Sequence, residues 1–417
     1  MRGIGAASII LFNYVVSHSL GNSAGHLLWS FAGLIIASQF LMFGFNEVAL
    51  KHVSEAFHSH DLARANTTVK LILRVISIPC LVALFAIAAC SRQVSEWFFP
   101  GASGTSQLFL FFSPGIIFLS LSQIIAFALQ GAGMASKSIF SMSIGPYLFA
   151  SVLIVALDIS EASHAAAAFS LAAGLNLFLA LSWWFRATSS RTYPRTIEKP
   201  NLWPMAAPVW ITTVMSAIIT WGGQFFAAIW LSPEEVAQYA ISLRVVAVVN
   251  FLLVAMSFVV APRIAQLYKF GNISELQELT SRCIGLLYLF VIPLTLLFII
   301  FSDFILALFS ISGTKSQLVV AILVAGQLAN VLTGPANYLL TMTGNEVVLR
   351  NIYVVSAALS ISLVFLLAPR YGLIGSSLAA SFAIIFQNVA AAIAVKARVG
   401  VYTLPFYRTS QNFRNES

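Results

Sequence analysis

The sequence predicts an all-α membrane protein with twelve transmembrane helices in two six-helix lobes. Three observations lead to this fold class: the composition, a series of apolar runs, and a one-sided distribution of basic residues between those runs. Hydrophobic residues make up 59% of the 417 residues and charged residues only 9%, whereas a soluble domain carries about a quarter charged residues. A chain so poor in charge could not cover a water-facing surface, so a bilayer is its expected environment.

The apolar runs define the predicted spans, because a membrane helix needs about 20 mostly apolar residues. Twelve runs meet this length or come close to it, at residues 3–18, 27–50, 71–90, 107–130, 138–157, 164–185, 207–231, 237–261, 283–301, 316–342, 348–368 and 373–395. The first run is short and resembles the apolar part of a signal peptide. Residues 21–25 form a weak cleavage site, so we expect an uncleaved first span.

The distribution of lysine and arginine predicts the orientation, since cytoplasmic loops carry an excess of both. With the N-terminus in the cytoplasm, 18 of the 22 basic residues fall on the cytoplasmic side, three fall outside, and Arg244 lies within a span. Both termini are therefore expected in the cytoplasm. The net charge of +8 forms no compact patch, which argues against nucleic-acid binding.

A basic polar stretch between the sixth and seventh spans divides the chain. The predicted parts are an N-terminal lobe at 1–186, a cytoplasmic linker at 187–206, a C-terminal lobe at 207–396 and a cytoplasmic tail at 397–417. The turn at residues 130–133 parallels residues 341–344 at an offset of 211, and Pro79 parallels Pro293 at an offset of 214. Such a repeat predicts a pseudo-two-fold axis along the membrane normal with a cavity between the lobes. Chance similarity of apolar helices is the alternative.

Arg244 is the sharpest polar feature at membrane depth. It lies nine residues past Glu235, roughly 13 Å into the predicted eighth span at the rise of an α-helix. A cation at that depth must face a partner or water. One interpretation is a cavity-facing cation that attracts an anionic substrate. The other is a structural ion pair with an acid from another helix, or a span drawn too deep.

Glu47 is the only acid well inside an apolar run, about one turn from the predicted cytoplasmic end of the second span. A carboxyl group there can carry a proton for coupling or pair with a cation such as Arg74. An interfacial carboxylate that reaches back toward water is the alternative.

Uncharged polar residues form stripes along several predicted spans. The candidate substrate-binding residues among them are Gln327, Asn330 and Asn337 on span ten, Gln123 on span four and Gln224 on span seven. Such residues either bind substrate in a wet cavity or join neighbouring helices by hydrogen bonds. Pro335 marks a predicted kink within span ten.

Catalytic and metal-binding constellations are missing from the sequence. The histidines lie in loops or at span ends without convincing metal-ligand spacing, and the three cysteines lie in apolar runs without CxxC spacing. No P-loop motif occurs. We therefore predict that the chain is not an enzyme and has neither a cofactor nor a resident metal.

Four short motifs follow each other through the chain: GFNEVAL at 44–50, LSPEEVAQYA at 231–240, TGN at 343–345 and YGLIGSSLA at 371–379. Their order, together with the six-plus-six layout, resembles the Wzx-type polysaccharide flippases of the multidrug/oligosaccharidyl-lipid/polysaccharide exporter superfamily. The resemblance implies a protein that flips an undecaprenyl-pyrophosphate-linked oligosaccharide to the periplasmic leaflet for O-antigen or exopolysaccharide synthesis. It also implies alternating access with proton or sodium coupling, for which Glu47 is the candidate residue.

The partners that the resemblance implies are the lipid-linked oligosaccharide, membrane lipid and other polysaccharide-assembly membrane proteins. Arg244 falls where the resemblance places a cavity cation. Two other functions stay open: a cation-coupled multidrug or small-molecule exporter of the same superfamily, and a membrane enzyme of glycan assembly. The short outer loops argue against the enzyme.

Overall fold

The computed structural model describes residues 2–98, 105–188, 203–309 and 316–403, which form α-helices without any strand. The helices are α1 Arg2–Leu20, α2 Ala24–Leu41, α3 Phe45–His58, α4 Leu62–Phe98, α5 Thr105–Gly131, α6 Ala135–Ile139, α7 Gly145–Ala156, α8 Ala162–Thr188, α9 Trp203–Ala217, α10 Gly223–Ala227, α11 Pro233–Lys269, α12 Ile273–Ile300, α13 Ser302–Ala307, α14 Ser316–Leu332, α15 Ala336–Met342 and α16 Glu346–Val399. Short π-helical turns join α6 to α7 and α9 to α10.

The twelve predicted spans all lie on these helices. By length and composition, nine helices of the described residues can cross a membrane, or ten if the bent pair α14 and α15 counts as one span. The 54-residue α16 contains two predicted spans, which meet at Gly372, where φ 55° and ψ −129° interrupt the helix. The long α11 covers predicted span eight. The predicted all-α polytopic fold is therefore confirmed.

Large apolar side chains are exposed along several of the long helices. Phe85 is 69% exposed, Phe178 74%, Leu289 66% and Ile300 69%. Water rarely faces so much contiguous apolar surface on a soluble protein, whereas lipid tails cover it without cost. The exposed faces of α4, α8 and α12 thus have the composition of lipid-facing surfaces.

The chain forms two compact units, one built mainly on Met1–Ile241 and the other mainly on the residues from Ser242 onward. Helices α9 and α10 pack within the first unit, against α2. The lobe bounds at 1–186 and 207–396 rest on the sequence repeat and stay a prediction.

Each unit has a buried apolar core, and the two cores correspond position by position. Eight buried residues of the first core have a buried counterpart 211 residues further along the chain. The pairs are Val53 and Ile264, Ala56 and Leu267, Ala65 and Leu276, Ile125 and Ala336, Ala128 and Leu339, Leu129 and Leu340, Ala180 and Ala391, and Trp184 and Val395. The internal repeat is therefore present in the packing within each unit.

The same offset corrects one detail of the predicted repeat. The sequence motifs placed Pro79 opposite Pro293, at an offset of 214. In the structure α4 begins at Leu62 and α12 at Ile273, 211 residues later. Their buried faces also match at 211, because Ile72 and Ile76 correspond to Cys283 and Leu287. The buried face sets the register of a helix, so the two prolines are not equivalent positions.

A close helix contact repeats at this offset as well. The Ser170 hydroxyl donates to the Phe111 carbonyl over 2.6 Å, and the Ser381 hydroxyl donates to the Ile322 carbonyl over 2.7 Å. Both serines face a glycine whose missing side chain makes room for them: a Cβ on Gly115 would lie 2.7 Å from Ser170 Oγ, and one on Gly326 would lie 2.9 Å from Ser381 Oγ.

Predicted span two is broken near its end. Phe43 and Gly44 have positive φ angles of 48° and 75°, so α2 stops at Leu41 and α3 starts at Phe45. A Cβ on Gly44 would lie 2.3 Å from the Ala206 carbonyl oxygen, which leaves room for glycine alone. Glu47 consequently lies in the first turn of α3 and not inside α2.

Predicted span ten is also broken, at the position where Pro335 predicts a kink. Helices α14 and α15 are bent by 40°, and Gly334 between them has a φ of 65°. Proline has no N–H to continue the helical ladder. The Tyr288 hydroxyl donates to the carbonyl of Leu332 over 2.7 Å, which satisfies an oxygen next to the break.

Candidate functional site

Three amide side chains meet in the second unit, on α11 and α14. Asn330 Nδ2 donates to Asn250 Oδ1 over 3.0 Å and to Gln327 Oε1 over 3.3 Å. All three side chains are half-buried. Two of them were predicted from sequence as substrate-binding residues, and the structure brings these two together. Asn250 was missed, because a single amide within an apolar run shows no partner in sequence.

Arg244 lies on the same accessible face of α11 as Asn250. Ala247 is exposed, and it is three residues from each of them. Residues three apart on a helix are surface neighbours, so the cation and the amide flank Ala247 on one face. Arg244 itself is half-buried. A charge and an amide on one face are costly in lipid, so this face is surrounded by protein groups or by water.

The first unit contains a second amide pair, between α2 and α5. Gln39 Nε2 donates to Gln123 Oε1 over 3.2 Å, and both side chains are half-buried. Gln123 was predicted from sequence and Gln39 was not. Gln39 is the position equivalent to Asn250, 211 residues earlier. The repeat offset, applied to the sequence, is the signal that would have found both.

Gln224 is the most buried of the predicted site residues, with 1% of its surface exposed. Its Nε2 donates to the Leu28 carbonyl over 2.5 Å, while Trp29 Nε1 donates to the Phe225 carbonyl over 2.7 Å. The rings of Trp29 and Phe225 stack with centroids 4.9 Å apart. These reciprocal contacts join α2 to α10 within the first unit.

Asn337 and Glu47 lie apart from the amide clusters. Asn337 follows the helix break on α15, and its buried Oδ1 has no hydrogen-bond partner in the part of the chain that the structure describes. Glu47 is half-buried on α3. The ion pairs formed by the described residues do not include it, so its predicted pairing with Arg74 is not formed here.

An open pocket with a volume of about 590 Å³ lies between α3 and the end of α5, lined by Lys51, Glu55, His58 and Gln130 among others. Next to it, His52 Nδ1 lies 3.7 Å from a carboxylate oxygen of Glu55. Burial nevertheless lowers the pKa of His52 below its usual value, because desolvation outweighs the attraction of Glu55. The pocket therefore carries mixed charge and none of the predicted site residues. Within the described ranges, no group of three potential ligand side chains could hold a metal ion.

A comparison with protein families gives a match in the second half of the chain. The MatE family model matches residues 204–366. No curated protein matches the chain.

Solved structures resemble the whole chain in fold. An inward-facing multidrug resistance MATE family transporter of the MOP superfamily has a TM-score of 0.76 and 13% identity, covering 95% of this chain and 94% of that one. A MOP superfamily transporter from Pyrococcus furiosus has a TM-score of 0.69 and 13% identity, with 95% and 93% covered. The lipid II flippase MurJ in an inward closed conformation has a TM-score of 0.69 and 15% identity, with 93% and 85% covered. The chain has the fold of MATE-type transporters of the MOP superfamily.

Proposed function

We propose that the protein flips an undecaprenyl-pyrophosphate-linked oligosaccharide across the cytoplasmic membrane by alternating access, for surface-polysaccharide synthesis. The accessible face of α11 carries the proposal, because it holds Arg244 and Asn250 on either side of Ala247. A guanidinium group binds phosphate oxygens with charge-assisted hydrogen bonds, and amide side chains suit sugar hydroxyls. The similarity in fold to a lipid II flippase supports this substrate class.

The alternative is a cation-coupled exporter of drugs or other small molecules. Its support is the similarity in fold to a multidrug resistance transporter. Many multidrug substrates are cations, and a cation needs an acid nearby. Glu47 is the only acid within the predicted apolar spans, and Arg244 would repel a positive charge. The charge pattern therefore favours an anionic ligand.

The proposal includes a location and a set of partners. The chain lies in the inner membrane with both termini in the cytoplasm, and its two lobes comprise residues 1–186 and 207–396. Proton or sodium coupling would supply the driving force, with Glu47 as the candidate residue. Besides lipid and the lipid-linked oligosaccharide, the partners are other membrane proteins of polysaccharide assembly.

A deletion strain without a redundant flippase tests the proposal. Loss of the protein should leave lipid-linked repeat units in the inner leaflet and remove surface glycan, and the wild-type gene should restore it. Normal surface glycan in the deletion strain would contradict the proposal. Normal glycan with altered drug tolerance would instead support the exporter.

The first prediction concerns Arg244. We expect Arg244→Ala to reduce glycan export at least about tenfold, because a charged hydrogen bond is worth about 1.5–3 kcal/mol. Arg244→Lys should keep part of the activity, since the positive charge remains without the planar fork. Export is measured as surface glycan per unit of membrane-inserted protein.

Arg282→Ala is the matched control. Arg282 lies in the same unit and is exposed, and its partner is Glu278 one helical turn away. The control should export normally, because an exposed pair contributes little. Full export by Arg244→Ala at normal abundance would assign Arg244 a structural role.

A further inference from the structure

We infer that Gln39 and Asn250 are specificity-determining residues that bind the hydroxyl-bearing glycan part of the substrate, one in each half of the chain. The inference rests on the proposed function, and it adds two residues and a chemical basis for specificity.

The two residues occupy equivalent positions, 211 apart, in the repeat that the buried cores define. Each makes an amide-to-amide hydrogen bond to a neighbouring helix: Gln39 to Gln123 over 3.2 Å, and Asn250 to Asn330 over 3.0 Å. The partners are not equivalent in the repeat, because 123 corresponds to 334 and not to 330. The contact has thus shifted by four residues, about one helical turn, while the amide pairing is kept in both halves.

The bonds fix which atoms remain for a ligand. Gln39 uses an N–H and Gln123 its oxygen, so Gln39 Oε1 and Gln123 Nε2 have no partner among the described residues. Asn330 uses Nδ2 for two bonds, which leaves its own Oδ1 and the nitrogens of Asn250 and Gln327. The buried side-chain atoms that have no hydrogen-bond partner do not include any of these atoms, so these atoms are not fully buried. They are therefore within reach of a ligand.

Each pair consequently offers both a donor and an acceptor. An anion is bound by hydrogen-bond donors alone, and a metal cation is bound by acceptor atoms alone. A hydroxyl group, in contrast, donates one hydrogen bond and accepts others. Each amide pair by itself therefore matches a ligand that carries hydroxyl groups, which is the chemistry of a sugar. Arg244, on the face it shares with Asn250, supplies the separate cationic contact for the pyrophosphate.

Amide pairs can also serve only to join membrane helices. The buried serine contacts at Ser170 and Ser381 are bonds of that structural kind between other helices, α5 and α8 and α14 and α16, and each hydroxyl donates to one carbonyl. The amides are half-buried and keep spare donors and acceptors, which a purely structural bond does not need. This difference gives the experiment its readout.

Binding to purified wild-type protein is measured with two probes: bare undecaprenyl pyrophosphate, and the same lipid carrying a neutral trisaccharide. The wild type should bind the glycan-bearing lipid more tightly. Gln39→Leu and Asn250→Leu should each reduce that preference about fivefold, the value of roughly one net hydrogen bond, while affinity for the bare lipid changes less than twofold. Asn250→Asp keeps an acceptor for Asn330 but has no spare donor, so its glycan preference should also fall.

Asn13→Ala and Asn388→Ala are the controls, because both asparagines are buried and donate to a carbonyl of their own helix. They should keep the wild-type preference. A preference unchanged in the Gln39 and Asn250 variants, or an equal loss for both probes, would overturn the inference and leave the proposed function standing. If a leucine variant unfolds, Asn250→Asp decides. A wild-type protein that binds neither probe would overturn the proposed function and the inference together.

Discussion

Gly25 marks the closest helix approach among the described glycines. A Cβ at this position would lie 1.8 Å from the carbonyl oxygen of Pro233 and 2.5 Å from its carbonyl carbon. These are backbone atoms, which cannot rotate away as a side chain can. The first turn of α2 and the start of α11 are thus in direct contact within the first unit, and only glycine permits that distance.

The second prediction follows from this contact. Gly25→Ala should lower the free energy of unfolding by about 1–3 kcal/mol or more, the cost of overpacking a core. Thermal unfolding in detergent measures the effect. Gly285→Ala is the control, because nothing lies within 4 Å of a Cβ there and alanine is the better helix former. Equal melting temperatures for both variants would show that α2 and α11 are not in this contact.

Some residues of the candidate site could be predicted from the sequence. Arg244 and Asn330 stand out in sequence because a polar side chain in an apolar run is costly in lipid. The bonds of Gln39 and Asn250 could not be predicted, since they depend on which helices are neighbours. For Gln224 the sequence left open whether it binds substrate in a cavity or joins helices, and the structure shows it buried with its amide on the Leu28 carbonyl. Whether any of these residues binds substrate stays a prediction.

Among the structural elements, the segment after α16 has a defined place. Gln277 on α12 holds the backbone of Tyr402 from both sides: its Nε2 donates to the Tyr402 carbonyl over 2.9 Å, and the Tyr402 N–H donates to its Oε1 over 2.6 Å. Lys396 Nζ lies 4.8 Å from the centre of the Tyr402 ring, and Val401 is fully buried in the second core. One glutamine thereby fastens the segment to α12.

The third prediction tests this attachment. Gln277→Ala should destabilise the protein by about 2 kcal/mol, because it removes two hydrogen bonds to backbone groups. Gln277→Glu should lose less, since a carboxylate still accepts from the Tyr402 N–H. The measurement is the midpoint of thermal unfolding, with the exposed Gln266→Ala as the control. Equal melting temperatures for Gln277→Ala and the control would show that this attachment does not contribute to stability.

The helix breaks differ in how far they could be predicted. The break between α14 and α15 was predicted, because Pro335 cannot continue a helical ladder. The break at Gly44 was not, since glycine within an apolar run is compatible with a continuous membrane helix. The close approach of the Ala206 carbonyl requires a glycine at position 44. That contact is tertiary, so the local sequence does not reveal it.

For the whole molecule, the repeat connects sequence to structure most directly. Eight pairs of core residues correspond at one offset, although few of the pairs are identical. Composition and hydropathy were enough to predict the all-α polytopic fold. The sequence motifs indicated offsets of both 211 and 214, and only the buried faces decided between them, because apolar residues exchange freely wherever volume and burial are kept.

The last prediction concerns the equivalence of the two units. Ser170→Ala and Ser381→Ala each remove one hydroxyl bond to a carbonyl of another helix, which should cost about 1 kcal/mol each. Because the two sites lie in different units, the double variant should show the sum of the single effects. Ser182→Ala is the control, since its hydroxyl bonds only within its own helix.

Equal and additive losses are expected if each contact holds its own unit together. A loss of stability from one serine alone would mean that the two contacts share a geometry but contribute differently to the free energy of unfolding. A double variant no less stable than either single variant would mean that the units unfold through a shared step.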